Sequence, residues 1–167
     1  MYALNNKIIA DFINERVSVN GHKFTITTYN QIKSPQLIRV PDGLVNAAGI
    51  WGLQLNLADL RASFFQQDCL LVINKSTLVA FLSYKLLHSW GEGGVRNIAV
   101  LNKFQGNKLG RYMWELAKQD VFADCKKITS TLFLPGAKAF WTHIVGKENI
   151  EAVPLGDDVK YRLSIMN

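Results

Sequence analysis

Apolar residues recur along this chain at two different spacings, and each spacing predicts a different kind of element. Helical spacing marks residues 3–15 and a later segment whose apolar face consists of Leu109, Tyr112, Met113, Leu116, Ala117 and Val121. A further helix is predicted to begin at Pro135 and to end before Gly146, because proline suits a first turn and glycine suits the residue after a last turn. Asn56 is a suitable N-cap residue for a short helix.

Short apolar runs enriched in β-branched and aromatic residues predict strands. They are residues 23–29, 69–73, 77–88, 95–101, 127–134 and 159–165. The second and third runs are close enough to form a hairpin, and the glycines of residues 91–94 predict another turn. Prolines and glycines interrupt residues 32–55, which follow no period. The order of elements predicts a mixed α+β fold, an antiparallel meander followed by strand–helix–strand–helix–strand.

Length and composition limit the class of protein. The chain has 167 residues, of which 49% are apolar and 19% are charged, as expected for one globular domain spanning residues 1–167. No apolar run reaches the roughly 20 residues of a membrane span, and no secretion signal is recognisable at the N-terminus. Two cysteines, Cys69 and Cys125, are too few for a disulfide framework or a four-ligand zinc site. We therefore expect a cytoplasmic protein with reduced thiols and no membrane association.

The charge balance favours acidic partners. Nineteen Lys and Arg residues against 13 Asp and Glu residues give a net charge of +6. Such a charge suits nucleic acid, an anionic cofactor or an acidic protein surface, and it does not distinguish among them.

One segment carries the features of a phosphate site. The strand predicted at residues 95–101 runs into a short basic loop, and the loop runs directly into a helix. The first amides of a helix have no partner within it and lie at the positive end of its dipole, so they bind phosphate well. Gly106 and Gly110 permit close approach of the backbone, and Asn107 suits the helix cap. Positive charge comes from three nearby side chains, those of Lys103, Lys108 and Arg111.

The spacing of this segment differs from a Walker A loop and from a dinucleotide-binding fingerprint. It resembles the acetyl-coenzyme A segment of the GCN5-related N-acetyltransferases (GNATs), over the sequence VLNKFQGNKLGRYMW of residues 100–114. Phe104 matches the aromatic residue of that family's motif, while Gln105 opens the pattern Gln/Arg-x-x-Gly-x-Gly/Ala and Gly110 closes it. Lys108 departs from the motif, because it stands where the first glycine is expected.

Two further segments resemble the same family, so that the resemblance covers residues 69–146. The hairpin of residues 70–84 is similar to the family's second and third strands. The sequence AKAFW of residues 137–141 is similar to the Ala-x-x-Phe-Tyr of its last helix.

The resemblance implies a fold and a cofactor. The fold is a single acyl-CoA N-acyltransferase domain with a central mixed sheet, flanked by helices and splayed open between the strands at 95–101 and 127–134. Acetyl-CoA would lie in that cleft, with its pantetheine paired to the backbone near Ile98 and Val100. The implied cofactor-binding residues are Ile98, Ala99, Val100, Gln105, Gly106, Asn107, Lys108, Leu109, Gly110, Arg111, Phe140 and Trp141.

Two residues are candidate bases for the acylation of an amine. A lysine-like amine has a pKa near 10.4, so neutralising it at pH 7 costs about 4.6 kcal/mol, and a base relieves part of that cost. Glu92 precedes the strand that would carry the cofactor and suits a base acting directly or through water; a solvated carboxylate in a turn is the alternative. His88 ends the preceding strand, and histidine suits base chemistry near neutral pH; a histidine facing water is the alternative.

The leaving thiolate requires a proton or a hydrogen bond. The resemblance implies that a tyrosine of the last helix usually supplies it, and Trp141, which has no ionisable proton, stands at that position. Another group or water must then serve the thiolate. The candidate substitutes by residue type are Tyr84, Ser130, Thr131 and His143.

Three functions follow from these observations. The first is an acetyl-CoA-dependent N-acetyltransferase in which an amine attacks directly within a ternary complex, the acceptor being a small molecule or a protein. The second is an acyl-CoA-binding protein on the same scaffold that transfers no acyl group, as the departures at Lys108 and Trp141 suggest. The third is an action on nucleic acid, which the charge permits but no motif supports. The chain is expected to be a monomer or a homodimer.

Overall fold

The structure, a computed structural model, describes residues 15–19, 21–47, 55–63, 68–105, 109–133 and 135–166. Its strands are β1 (Glu15–Val19), β2 (His22–Thr27), β3 (Asp68–Asn74), β4 (Thr77–Leu87), β5 (Glu92–Val100), β6 (Lys127–Ser130), β7 (Ile150–Leu155) and β8 (Asp158–Met166). They form an eight-stranded sheet in the order β1-β2-β3-β4-β5-β6-β8-β7. Every neighbouring pair is antiparallel except β5 and β6, which are parallel. The mixed α+β class is therefore confirmed.

Helices cover both faces of the sheet. They are α1 (Asp42–Ala47), α2 (Leu57–Ser63), α3 (Leu109–Leu116) and α4 (Pro135–Val145). One buried cluster joins α3 and α4 to the sheet through Met113, Trp114 and Trp141. The other joins α1 and α2 to the opposite face through residues that include Leu44 and Leu60. Within the residues that the structure describes, no helix has the length and apolar character of a membrane span.

Helix α2 begins at the predicted cap. The side-chain oxygen of Asn56 accepts a hydrogen bond of 3.1 Å from the amide of Asp59. The carboxylate of Asp59 in turn accepts hydrogen bonds from the amides of Leu55 and Asn56, at 3.0 and 3.3 Å. This reciprocal arrangement satisfies amides that the helix itself leaves without partners.

Several predicted boundaries differ from the structure. The helix predicted at residues 3–15 lies largely outside the described residues, while β1, β7 and α1 were not predicted. The turn predicted at residues 91–94 is confined to Gly91, which has a φ angle of 66°, because β5 already begins at Glu92 and contains both following glycines. The reason for glycine inside this strand is packing: a Cβ atom at Gly93 would overlap the ring of Phe122. The strand predicted at residues 127–134 ends at Ser130.

Candidate active site

A cleft opens where β6 leaves β5. Their parallel pairing covers only four residue pairs, after which the Thr131 amide donates to the carbonyl of Val95 at 3.1 Å and its hydroxyl donates to the carbonyl of Arg96 at 2.9 Å. Phe133 then exchanges two backbone hydrogen bonds with Tyr161 of β8, at 2.7 and 3.0 Å. The chain therefore turns towards β8, and the sheet is splayed at the place that the resemblance implied.

A β-bulge lies in β5 beside this opening. Ser83 of β4 faces Asn97 and Tyr84 faces Val95, so Arg96 is an extra residue in β5. The fully buried hydroxyl oxygen of Ser83 accepts a hydrogen bond of 3.0 Å from the Asn97 amide. Bulges bend a strand and redirect its side chains. The bulge thus sets the direction of β5 where the cleft begins.

The cleft has a volume of about 830 Å³ and brings together nine of the twelve predicted cofactor-binding residues. The nine are Ile98, Ala99, Val100, Gln105, Leu109, Gly110, Arg111, Phe140 and Trp141. Gly106, Asn107 and Lys108 lie outside the described residues.

Other side chains of the cleft were not predicted from the sequence. They include Arg96, Asn97, Leu132 and Phe133. Their places depend on the bulge and on the point at which β6 turns away, and both are properties of strand pairing that no local spacing reveals.

The backbone of β5 faces the cleft at alternate residues. The Leu101 amide donates to the Val79 carbonyl of β4 at 2.8 Å, so alternation turns the backbone groups of Ile98 and Val100 towards the gap. The Val100 carbonyl already accepts a hydrogen bond of 3.0 Å from the side-chain amide of Gln105. Gln105 also donates its backbone amide to the Asn102 carbonyl at 3.1 Å. Gln105 therefore braces the turn after β5.

The start of α3 forms one wall of the cleft and packs closely on α4. A Cβ atom at Gly110 would lie 3.2 Å from two carbons of the Phe140 ring. The guanidinium of Arg111 donates a hydrogen bond of 2.7 Å to the carbonyl of His143 in the last turn of α4. The amides of the first turn of α3 have no acceptors within the helix, and they lie beside the cleft at its positive end.

Aromatic rings form the wall contributed by α4. Trp141 is 5% exposed, and its ring meets Trp114 edge-on with centroids 5.9 Å apart. The Phe133 ring lies 6.3 Å from the same indole. The indole N–H of Trp141 has no hydrogen-bond acceptor within the described part of the chain. The indole can donate a hydrogen bond into the cleft, but its N–H is not acidic enough to release a proton.

Glu92 lies outside the cleft, on the opposite face of β5 from the α3–α4 core. Gly93 and Val95 face that core, so alternation places Glu92 and Gly94 on the face covered by α1 and α2. Asn97 is two residues before Ala99, a member of the α1–α2 cluster, and shares this face. Glu92 is half-buried. Among the residues that the structure describes, a Cβ atom at Gly94 would lie within 4 Å of the Lys85 carbonyl alone, at 3.8 Å, so no described side chain covers the strand at this position.

The structure places the remaining candidate acids and bases less favourably. Tyr84 is 3% exposed and its ring packs edge-on against Phe122, at 6.1 Å, so it belongs to the core rather than to the cleft. This burial contradicts its prediction as a catalytic residue. His88 belongs to the 3₁₀ turn of His88–Trp90 rather than to a strand, and its side chain lies outside what the structure describes.

The hydroxyl groups of Ser130 and Thr131, at the point where β6 leaves β5, already form hydrogen bonds within the protein. Ser130 donates to the Thr131 carbonyl at 2.8 Å and accepts from the Leu163 amide at 2.9 Å. Thr131 donates to Arg96, as described above. These hydrogen bonds therefore stabilise the chain at the point where β6 leaves β5. His143 lines the cleft and is exposed.

Comparisons with known proteins identify the fold. No protein-family model matches the sequence, and no curated protein matches it at a significant level. The GNAT domain of S. lividans PAT superimposes with a TM-score of 0.63 at 13% identity, over 92% of this chain and 96% of that chain.

Two acetyltransferases are similar at lower scores. An acetyltransferase from Thermus thermophilus gives a TM-score of 0.52 at 17% identity, over 70% of this chain and 79% of that chain. The ribosomal-protein-S18-alanine N-acetyltransferase from Escherichia coli gives 0.51 at 14% identity, over 84% and 90%. Together with the splayed sheet, these likenesses mean that the chain has the fold of the GCN5-related N-acetyltransferases.

Proposed function

We propose that this chain is an acetyl-CoA-dependent N-acetyltransferase. The observation that carries the proposal is the cleft between β5 and β6, which has the backbone of β5 beyond its pairing with β6 along one side and the start of α3 along another. A thioester cofactor suits both features: its amide-bearing arm can pair with strand backbone, and its diphosphate can bind at the start of a helix.

The residues present fit such a cofactor. The backbone of Ile98 faces the gap and suits the amides of a pantetheine arm, while the amides at the start of α3 suit a diphosphate. Gly110 lets the start of α3 pack closely on α4, because a Cβ atom there would lie 3.2 Å from the Phe140 ring. When bound, acetyl-CoA would supply the acetyl group as an activated thioester.

The acceptor amine is proposed to approach from the face of α1 and α2. Glu92 and Asn97 lie on this face of β5, and Gly94, which lies between them, has no side chain and no described side chain against it. Glu92 accepts a proton from the amine, directly or through water, which lowers the cost of presenting a neutral nucleophile. Asn97, which also lines the cleft, offers an amide that orients the acceptor towards the thioester.

The second candidate function is binding of acyl-CoA without transfer. It is favoured by the tryptophan at position 141 and by the hydrogen bonds that engage the hydroxyls of Ser130 and Thr131, which leave His143 as the one candidate proton donor among the described cleft residues. Positioning alone accelerates acyl transfer strongly, so a missing acid does not decide between the two functions.

Titration calorimetry with acetyl-CoA and a free-thiol release assay test the proposal. The acceptor panel should contain small amines, a lysine peptide and a peptide that begins with alanine, the residue named for the E. coli neighbour. Binding together with thiol release that Glu92→Gln slows at unchanged affinity would support the transferase. Tight binding without release on any acceptor would favour the binding protein, and the absence of binding would overturn both.

A further inference from the structure

A second cavity, of about 700 Å³, shares Phe104 with the cleft. Its walls come from the turn between β1 and β2, the start of β2, the turn between β3 and β4, and the 3₁₀ turn of Asn102–Phe104. We call it the basic groove and define it by the segments Gly21–Thr25 and Ile73–Ser76 together with Lys103 and Phe104. The proposed acetyl transfer makes no use of it.

Three lysines from three separate segments line the basic groove: Lys23, Lys75 and Lys103. All three are exposed, and no carboxylate is among the described residues of the lining. None of the three forms an ion pair with any residue for which the structure gives a position. Ammonium groups without counter-charges create a positive potential, and an anion between them relieves their repulsion. The groove therefore favours a negatively charged ligand.

The segments that carry these lysines are tied together. The side-chain amide of Asn74 donates a hydrogen bond of 2.8 Å to the carbonyl of Lys23. The rings of His22 and Phe24 meet Phe104 edge-on, with centroids 5.2 and 5.4 Å apart. The Lys103 ammonium lies 5.5 Å from the centre of the Phe104 ring. The three cations are consequently presented from a fixed framework.

The turn that carries Lys75 is strained. Lys75 and Ser76 have φ angles of 48° and 62°, the left-handed region that costs energy for residues with a side chain. A tight hairpin with this geometry normally uses Asn-Gly or a similar pair. Glycine at position 75 would remove this strain, so a lysine that stays there in spite of the strain points to a role for its side chain. Here that side chain is the cation of the groove.

We propose that the basic groove binds the phosphate backbone of a nucleic acid. An exposed lysine gains little from a single phosphate, whereas a chain of regularly spaced phosphates engages all three lysines at once and gains from counterion release. The net charge of +6 attracts the same polyanion. The rings of Phe24 and Phe104 are buried, 2% and 3% exposed, so they offer bases no stacking surface. Binding should therefore be independent of sequence.

The experiment is a salt titration of the full-length chain with a fluorescent single-stranded RNA of mixed sequence, read by anisotropy. Three phosphate contacts predict that log K falls against log salt with a slope of about −2, and the double variant Lys23→Met/Lys75→Met should reduce the slope to about −0.7. Lys147→Met removes an exposed lysine beyond α4 and is the matched control that keeps the wild-type slope. Lys75→Gly should raise Tm and weaken RNA binding together, because it removes both strain and charge.

Three results would overturn the proposal. One is an equal slope in the double variant and the wild type. Another is competition by poly-glutamate as effective as that by RNA of equal charge, which would identify an acidic protein site. The last is a loss of acetyl-CoA affinity in the double variant with RNA affinity unchanged, which would assign the groove to the nucleotide end of the cofactor. Calorimetry with acetyl-CoA is run in parallel, so a failure of the transferase proposal is recognised separately.

Discussion

The guanidinium of Arg111 donates a hydrogen bond of 2.7 Å to the carbonyl oxygen of His143. The first residue lies near the start of α3 and the second in the last turn of α4. A cation at the C-terminal end of a helix interacts favourably with its dipole as well as with the carbonyl. The bond therefore joins the two helices that border the cleft. Arg111, which the sequence suggested for phosphate binding, is therefore used to hold α4.

Arg111→Met should loosen the cleft. Loss of one charge-assisted hydrogen bond at an exposed site costs about 1 kcal/mol, which corresponds to a fall in Tm of about 2–4 °C. The Kd for acetyl-CoA should rise several-fold, because the separation of the cleft walls is less fixed. Arg111→Lys, which keeps the positive charge and N–H donors on a shorter side chain, should restore part of both values. Thermal unfolding and calorimetry measure them, and an unchanged Kd in Arg111→Met would contradict this role.

Gly110→Asp and Gly110→Asn form a matched pair that isolates charge at the cofactor site. Both side chains press on Phe140, whose ring is 39% exposed and able to shift, so each should cost about 1 kcal/mol of stability. An acidic residue in the first turn of a helix is otherwise stabilising, so the aspartate variant should unfold at or above the asparagine variant. Calorimetry should nevertheless give acetyl-CoA a Kd about tenfold or more higher for aspartate, because its carboxylate repels a diphosphate. Equal affinities would move the diphosphate elsewhere.

The sequence predicted the elements whose apolar pattern is long and regular. Helices α3 and α4 and the β3–β4 hairpin were recognisable because each carries its own periodicity and turn residues. Strands β1 and β7 were missed because they are short edge strands that pair on one side only, so burial imposes little pattern on them. The glycines of β5 indicated a turn locally, whereas the reason for Gly93 is the ring of Phe122, far away in sequence.

The candidate site was likewise predictable only where its residues follow a regular local spacing. Residues of the loop and of α3 follow a local spacing, and Gln105, Leu109, Gly110 and Arg111 do line the cleft. Lys103 does not, because its side chain lines the basic groove instead. Asn97 and Arg96 could not be predicted, because the register with Ser83 and the bulge determine where they point. The face that Glu92 occupies depends likewise on strand pairing, which a sequence without aligned relatives does not reveal.

Gly93→Ala and Gly94→Ala separate packing from strand propensity at adjacent positions of β5. The new methyl group at position 93 would overlap the ring of Phe122, so urea unfolding should show a loss of about 3 kcal/mol or more. Within the described part of the chain, the methyl group at position 94 meets the Lys85 carbonyl alone, at 3.8 Å, so its effect should stay within about 0.5 kcal/mol. Similar losses in the two variants would mean that Phe122 does not occupy the described position.

Cys69 should be inert towards thiol reagents in the folded protein. Burial raises the pKa of its thiol to about 12 from an ordinary value of 9.0. At pH 8 the folded protein then holds about a thousandfold less thiolate at this position than the unfolded chain. Labelling kinetics of Cys125→Ala, which retains Cys69 as its one thiol, should show reaction only after unfolding.

The same shift has a consequence for stability. The folded pKa lies above the unfolded one, so the stabilisation from the protonated thiol is complete below about pH 9 and is lost as the pH rises towards about 12. Cys69→Ala should therefore show a smaller alkaline loss of stability than the wild type. Rapid labelling of native Cys125→Ala at pH 8 would contradict the burial.

Trp141→Tyr tests how the proposed transferase manages its leaving thiol. The indole donates a hydrogen bond but releases no proton, whereas a phenol with a pKa near 10 does both. We expect kcat for thiol release to increase several-fold and its pH profile to gain an alkaline limb. Trp141→Phe is the control, because either change loses part of the edge-on packing against Trp114 and should cost about 1–3 kcal/mol in urea unfolding. If the phenylalanine variant matches the tyrosine variant in kcat and in pH profile, proton donation from this position has no part in turnover, and water supplies the proton.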